Sequence, residues 1–137
     1  MNNNQEKILT FIVNENNQLL LLKGSKNDPQ FHQSFWYVVT GSCEKEDIDK
    51  TQTVIREVKE ETNLDVIETI YLNKTFLYES LDKNCIEYVY LSKVNNSNII
   101  LNEEHIDYKW CNFDEFIKLI HWFEDKENLI ALLKKFI

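Results

Sequence analysis

Residues 49–62 carry the pattern of one capped amphipathic helix, and this helix limits which folds are open to the chain. Asp49 is followed three positions later by Gln52, which is the spacing of a capping box at a helix start. Asn63 stands where a left-handed residue commonly ends a helix. The apolar sector predicted for packing comprises Thr51, Val54, Ile55 and Val58. A helix with such a face needs other elements to cover it.

The rest of the chain supplies those elements. Five runs rich in apolar, β-branched and aromatic residues predict strands, at residues 8–13, 19–22, 35–39, 66–77 and 86–91, and a last short strand is predicted at residues 107–110. Turns are predicted at the asparagine-rich residues 14–17 and at residues 82–84, a surface loop at 23–34, and further helices at 113–123 and 127–136. One α+β domain spanning residues 1–137 is the predicted organisation.

Charge and composition exclude several classes of function. The 15 basic and 23 acidic residues give a net charge of −8, which repels nucleic-acid polymers and anionic membranes. Gly24 and Gly41, the two glycines, are too far apart for a glycine-rich phosphate loop, so a small anionic substrate would need a metal ion. Three cysteines without a C-x-x-C pair, and no apolar run near the ~18 residues of a membrane span, predict a cytoplasmic protein.

The predicted helix also carries a cluster of acids. Glu57, Glu60 and Glu61 are related by i, i+3 and i+4, which places them in one sector about 100° wide. Their repulsion costs about 0.3 kcal/mol per pair, and Mg²⁺ or Mn²⁺ would relieve it because both prefer oxygen ligands. A solvated acidic face is the alternative. Arg56, four residues before Glu60, either forms a surface ion pair or orients metal-binding glutamates.

These residues resemble the signature of the Nudix hydrolase family, G-x5-E-x7-R-E-U-x-E-E-x-G-U, in which U is aliphatic. The matching positions are Gly41, Arg56, Glu57, Val58, Glu60, Glu61 and Leu64. Asp47 replaces the first glutamate, Asn63 replaces the second glycine, and eight residues instead of seven separate Asp47 from Arg56. Residues 35–42 and 104–110 also resemble segments of a branch that contains dATP and dihydroneopterin triphosphate pyrophosphohydrolases.

The resemblance implies the Nudix fold, a mixed β-sheet sandwiched between α-helices, with the signature as a loop-helix-loop. It implies hydrolysis of a nucleoside or pterin triphosphate, or of another substrate linked to a nucleoside diphosphate, to the monophosphate and pyrophosphate. Mg²⁺ would be the cofactor and Mn²⁺ its substitute. The partner would be this small molecule, with neither a nucleic-acid polymer nor a membrane. A catalytically impaired nucleotide sensor is the alternative, since the loop around Asp47 is irregular.

The resemblance also implies residue roles. The implied metal ligands are the backbone carbonyl of Thr40 and the side chains of Glu57, Glu60, Glu61 and Glu104. Arg56 would orient the glutamates, and Asp47 would share that role if the loop absorbs the additional residue. Either Glu57 or Glu104 would be the general base, which completes a catalytic set of Arg56, Glu57, Glu60 and Glu104. A plain surface glutamate is the alternative for Glu104.

Substrate-binding residues are predicted at two positions. Lys23, at the end of the second predicted strand and near where relatives carry a basic residue, either meets a phosphate or is a solvated lysine. Trp36, with Phe35 beside it, either stacks on a base or packs in the core. His105 is predicted to be a capping or packing residue.

Overall fold

A mixed β-sheet forms the centre of the molecule, and the computed structural model describes residues 4–24 and 35–137. Its strands are β1 (Asn4–Val13), β2 (Leu19–Gly24), β3 (Trp36–Tyr37), β4 (Val39–Ser42), β5 (Val66–Ser80), β6 (Lys83–Val94) and β7 (His105–Cys111). The helices of the protein are α1 (Lys50–Thr62), α2 (Phe113–Leu119) and α3 (Lys126–Lys134). Residues 25–34, most of the predicted loop, lie outside the described residues. Among the helices described, none has the length and apolar character needed to cross a membrane.

The sheet combines parallel and antiparallel pairs. β1 runs parallel to β6, from Asn4 opposite Asn84 to Val13 opposite Lys93. The central order is β3-β2-β1-β6-β5, with β4 antiparallel to β1 and β7 antiparallel to β2. Within the described ranges β1 and β2 pair at Val13 opposite Leu19, where their hairpin closes, and then separate to take different partners.

Alternation along β1 directs its side chains into two cores on opposite faces of the sheet. Phe11 packs on one face with Phe116 of α2 and Leu129 of α3. Ile8 packs on the other face with Val54 of α1. Each of these side chains is at most 1% exposed, and full burial of such a side chain contributes about 1.5–3 kcal/mol. The sheet therefore lies between α1 and the α2–α3 pair, which confirms the predicted α+β fold class.

The predicted hairpin between the first two strands is confirmed, and an asparagine side chain shapes its turn. Asn14 Oδ1 accepts hydrogen bonds from the backbone N–H groups of Asn16, at 3.0 Å, and Gln18, at 2.9 Å. Asn17 adopts φ of 57°, a left-handed conformation that asparagine tolerates better than most residues.

The bounds of most predicted elements shift by a few residues, and three differences change the structure more. Leu81 and Asp82, at φ of 50° and 65°, form the turn between β5 and β6, instead of residues 82–84, because two successive left-handed residues suit a two-residue hairpin. The strand predicted at 35–39 is divided at Val38 into β3 and β4. The helix predicted at 113–123 ends at Leu119, because Ile120 is extended.

Both predicted ends of α1 are confirmed, whereas its predicted apolar sector is partly wrong. Asp49 Oδ1 accepts a hydrogen bond from Gln52 N at 2.9 Å, and Asn63 has φ of 64°. Thr51 and Ile55 are exposed. The buried residues of the helix are instead Thr53, Val54, Val58, Glu61 and Thr62. Compared with the prediction, α1 is rotated about its axis, so that Glu61 is buried and Ile55 is exposed.

Candidate functional site

Glu57 lies in a narrow gap between α1 and β4. Its side chain is 13% exposed, and Gly41 of β4 lies so close that a Cβ atom there would overlap the Glu57 carboxyl group. Gly41 does not have a positive φ, so close approach and not backbone conformation is what requires glycine at this position. The glycine of the signature thus makes room for the first glutamate of the R-E-V-K-E-E segment.

Arg56 connects this glutamate to the preceding loop and to β4. Its Nη1 lies 2.9 Å from Glu57 Oε1, and its Nη2 donates to Ser42 O at 3.0 Å. The guanidinium also contacts both oxygens of Asp47, with Nε 3.2 Å from Oδ1 and Nη2 2.9 Å from Oδ2. Because the planar Arg56 guanidinium contacts Asp47, Ser42 and Glu57 at once, it has little rotational freedom and fixes the orientation of the Glu57 carboxylate.

Asp47 ends a short turn in the loop before α1. Asp47 N donates to Glu44 O at 3.1 Å, and Glu44 N returns a hydrogen bond to Asp47 Oδ2 at 3.0 Å. Thr53 Oγ1 also donates to Asp47 Oδ2, at 2.7 Å. The hydrogen bonds from Arg56, Glu44 and Thr53 hold the pKa of Asp47 well below its usual range. Asp47 is therefore an ionised partner of Arg56.

Glu61 is a buried carboxylate in an acidic environment. It is 3% exposed, and its Oε2 receives no hydrogen bond from the described residues. Burial raises the pKa of Glu61 well above its usual value, and the negative charges of Glu104 and Glu57 raise it further. Burial also raises the pKa of Glu57, although Glu61 and Arg56 act in the opposite direction. A bound cation would compensate the negative charge that these neighbouring carboxylates bring together.

Glu61, Glu104 and His105 form a cluster that suits a metal ion. One ligand atom from each lies within 4.8 Å of the others, and His105 Nδ1 is 3.6 Å from Glu61 Oε1. Carboxylate oxygens, with one oxygen of Glu61 lacking a donor, match the preference of hard divalent cations, and an imidazole suits Mn²⁺ better than Mg²⁺. The donor set therefore fits a divalent ion.

Two of the predicted glutamate ligands, Glu57 and Glu60, are not members of this three-residue cluster. Glu60 is 53% exposed, lies 3.5 Å from Arg56 Nη1, and is not part of the three-residue cluster. Thr40 lies in β4 and immediately precedes Gly41, the residue that lies against Glu57. His105, predicted only to cap or pack, lies in the cluster. Its signal in the sequence was its position directly after Glu104, two residues before the strand predicted at 107–110.

Lys23 and Trp36 lie opposite each other on β2 and β3. The Lys23 Nζ is 5.6 Å from the centroid of the Trp36 ring, and Trp36 is partly buried against the core. A cation over an aromatic face satisfies both side chains without a ligand. A cavity lies beside β4, and neither Lys23 nor Trp36 lines it.

That cavity has a volume of about 480 Å³ and lies on the side of the sheet that faces α2 and α3. Its lining consists of Lys7, Tyr37, Thr40, Phe76, Leu77, Tyr78, Glu79, Glu87, Trp122, Phe123 and Glu124. Glu87 is 5% exposed, and its Oε2 accepts a hydrogen bond from the Tyr78 hydroxyl at 2.9 Å. Sequence reasoning missed Glu87 because it sits in an apolar strand and only pairing of β5 with β6 brings Tyr78 to it.

Comparisons with known proteins agree with this geometry. The sequence profile of the NUDIX domain matches residues 4–133. A dihydroneopterin triphosphate diphosphatase of Haemophilus influenzae is 26% identical over 149 residues, which cover 98% of this chain and 88% of that protein. An asymmetrical bis(5′-nucleosyl)-tetraphosphatase of Caenorhabditis elegans is 35% identical over 92 residues, covering 64% of each. The crystal structure of a MutT protein from Methanosarcina mazei superposes with a TM-score of 0.75 at 22% identity, covering 97% of this chain and 92% of that one.

Proposed function

The chain belongs to the Nudix hydrolase family, and from this premise we propose that it is a divalent-metal-dependent pyrophosphohydrolase acting on a nucleoside or pterin triphosphate. The products would be pyrophosphate and the monophosphate. The two relatives reported above are named for hydrolysis of a pterin triphosphate and of a dinucleoside tetraphosphate, and both names describe cleavage within a polyphosphate chain. We propose residues 1–137 as one Nudix domain.

The observation that carries this proposal is the buried carboxylate of Glu61. Its Oε2 has no donor among the described residues, while Glu57 and Glu104 add further negative charge around it. Glu57, Glu60, Glu61, Glu104 and the carbonyl of Thr40 are the ligands we propose, with His105 as an additional candidate. A bound Mg²⁺ or Mn²⁺ would neutralise charge on the diphosphate oxygens that an acidic protein otherwise repels.

The residues of the chain divide the remaining work. Arg56 holds Glu57 in one orientation, and Asp47 holds Arg56 in turn. A carboxylate at the edge of the site would accept the proton of the attacking water, and Glu57 and Glu104 are the two candidates. Glu57 is bonded to Arg56, whereas Glu104 is exposed and bonds only weakly to the Asn102 amide, at 3.4 Å. These environments favour Glu104 as the base, because its exposed carboxylate is open to an attacking water whereas the Glu57 carboxylate is held by Arg56.

The structure offers an argument against the sensor alternative. That alternative depended on the longer loop before α1, in which Asp47 replaces a glutamate. The 2.9 Å contact between Asp47 and Arg56 supports a functional positioning network in spite of the extra residue. Nucleotide binding without turnover is therefore an outcome for the experiment to exclude.

The test is a panel of triphosphates and dinucleoside polyphosphates incubated with Mg²⁺ or Mn²⁺, with pyrophosphate, phosphate and monophosphate products resolved. We expect metal-dependent turnover that Glu60→Gln and Glu61→Gln each reduce by orders of magnitude while the circular dichroism spectrum is retained. Glu68→Gln is the matched control, because Glu68 lies on β5 in an exposed ion pair with Lys93. Substrate binding without products under either metal would favour the sensor, and full activity in both site variants would remove these residues from the mechanism.

Glu57→Gln and Glu104→Gln separate the two candidate bases. Both residues are proposed ligands, so each variant should weaken Mn²⁺ binding, which electron paramagnetic resonance measures. Loss of the base should also reduce kcat at saturating metal, and we expect this second effect to be larger for Glu104→Gln.

A further inference from the structure

The cavity beside β4 has walls suited to a flat aromatic ligand. The Phe76 and Trp122 rings meet edge to face with centroids 5.7 Å apart, and Tyr37 lies 6.2 Å from Trp122 and 5.8 Å from Phe123. The volume of about 480 Å³ falls in the range typical of small-molecule sites, roughly 300–1,000 Å³. Aromatic faces of this kind stack on any heterocycle, so they supply affinity with little selectivity.

Glu87 is the polar group that can supply selectivity in this cavity. It lies directly opposite Lys7 in the parallel pair of β1 and β6, and both side chains line the cavity. The Tyr78 hydroxyl donates to Glu87 Oε2 at 2.9 Å. Burial raises the pKa of Glu87 above its usual value, although the Tyr78 hydroxyl and the charge of Lys7 act in the opposite direction. An ionised carboxylate only accepts hydrogen bonds, and it retains capacity for two more donors.

Strand β4 contributes neighbouring residues to the cavity and to the acidic site. Thr40 of β4 lines the cavity, and the next residue, Gly41, lies against Glu57 of α1. In the described part of the chain β4 pairs with β1 and leaves its other edge free. A substrate that passes this edge can place its phosphates at the glutamates and its ring in the cavity.

We propose that Glu87 is the specificity-determining residue for the substrate ring and selects a 2-amino-4-oxopyrimidine edge, which guanine and pterins share. That edge presents two adjacent N–H donors, one on the ring and one on the amino group, and a carboxylate accepts both. Adenine presents a ring-nitrogen acceptor in place of the ring N–H, which a carboxylate repels. Tyr78 is a positioning residue that holds the carboxylate. This inference rests on the proposed function for the identity of the substrate but not for the binding of the ring.

Hydrolysis of four substrates by the wild-type protein tests the selection directly: dGTP, dITP, dATP and dihydroneopterin triphosphate. A site built to hydrogen-bond both donors rejects an analogue that lacks them, so we expect kcat/KM for dATP to be about 10- to 100-fold below that for dGTP or the pterin. dITP, which lacks the amino group, should fall between them. The better of dGTP and dihydroneopterin triphosphate identifies which source of the shared edge the cavity accepts.

Variants then assign the selection to Glu87. Glu87→Gln, which replaces one acceptor oxygen with a donor, should reduce the preference for dGTP over dATP to below about threefold. Tyr78→Phe should raise KM for dGTP several-fold with kcat nearly unchanged, because it loosens a group that binds the ring and not the phosphates. Glu68→Gln, on the exposed part of β5, should retain the full preference.

Binding of guanosine, neopterin and adenosine to the metal-free protein, measured by titration calorimetry, separates this inference from the proposed function. Tighter binding of guanosine or neopterin than of adenosine, lost in Glu87→Gln, supports the inference even if no triphosphate is hydrolysed, and that failure would count against the proposed function alone. Equal binding of guanosine and adenosine, an unchanged preference in a folded Glu87→Gln protein, or no binding of guanosine and neopterin at millimolar concentration would overturn the inference.

Discussion

The Arg56 guanidinium holds the Asp47 carboxylate at both oxygens, with Nε 3.2 Å from Oδ1 and Nη2 2.9 Å from Oδ2. Two parallel contacts fix the plane of the guanidinium as well as its position. The remaining nitrogen, Nη1, then lies 2.9 Å from Glu57 Oε1. An aspartate one residue farther from the arginine than the signature allows thus retains a contact with both of its oxygens.

Substitutions at this pair should impair catalysis without unfolding the protein. Asp47→Asn removes the charge that orients Arg56, and we expect kcat/KM to fall by about 10- to 100-fold, as for other residues that support metal ligands. Arg56→Lys should be at least as severe, since an ammonium group cannot hold Asp47 at two points and also contact Glu57. Steady-state kinetics with Mn²⁺ titration is the measurement.

Glu44→Gln is the control for that pair. Glu44 lies 3.6 Å from Arg56 Nη1 but is 55% exposed, and exposed ion pairs contribute little. We expect its activity to stay within about twofold of the wild type. An Asp47→Asn variant that is as active as Glu44→Gln would show that the bidentate contact has no catalytic importance.

Local sequence signals predicted the ends of α1 because those signals act over a few residues. Asp49 and Asn63 have the predicted cap conformations, and the Asn14 side chain forms the predicted hairpin turn. The rotation of α1 was not predictable in the same way. Ile55 is more apolar than Glu61, yet Ile55 is 42% exposed and Glu61 is 3% exposed. Periodicity identifies the sectors of a helix, but the sheet determines which sector is covered.

The site residues that distant strands contribute could not be predicted from local sequence signals either. His105 lies opposite Gly24 in the β2–β7 pair, next to a register shift between Lys23 and Gly24. Glu87 meets Tyr78 through the β5–β6 pair, which also contains an irregularity. Irregular registers of this kind change which face a side chain occupies, and spacing along the chain does not reveal them.

Glu61→Gln should stabilise the metal-free protein while abolishing activity. Burial raises the pKa of Glu61 in the folded state, so the folded protein binds more protons than the unfolded chain and wild-type stability falls as pH rises above about 4.3. A neutral amide avoids this loss, and we expect about 1–3 kcal/mol of added stability at pH 7.5. Thermal unfolding in a chelator between pH 5 and 8 should show the advantage of the variant growing with pH.

Glu60→Gln is the matched control for the buried glutamate. Glu60 is 53% exposed, so its replacement should leave the unfolding temperature of the metal-free protein nearly unchanged at every pH. Adding Mn²⁺ should raise the unfolding temperature of the wild type and much less that of Glu61→Gln. Equal stability of Glu61→Gln and the wild type at pH 7.5 would argue that Glu61 carries no electrostatic strain.

Asn63→Ala should destabilise the fold, whereas Asn63→Gly should not. Asn63 has φ of 64°, and its N–H donates to Lys59 O at 2.9 Å, so it closes the last turn of α1. Alanine in this conformation costs about 1 kcal/mol, while glycine, which the signature has here, changes the free energy of unfolding by less than about 0.5 kcal/mol. Urea denaturation measures both. Retained kcat in Asn63→Gly would confirm that this departure from the signature is structural and not catalytic.

Gly41→Ala should reduce activity sharply through Glu57, and Gly24→Ala should not. A Cβ at Gly41 would overlap the Glu57 carboxyl group, whereas nothing lies within 4 Å of a Cβ at Gly24. Neither glycine has a positive φ, so alanine strains neither backbone and the comparison isolates crowding. Because Glu57 can swing away only by leaving Arg56, we expect kcat/KM to fall at least about tenfold with a small change in unfolding temperature. Full activity of Gly41→Ala would mean that Glu57 does not act from the position held by Arg56.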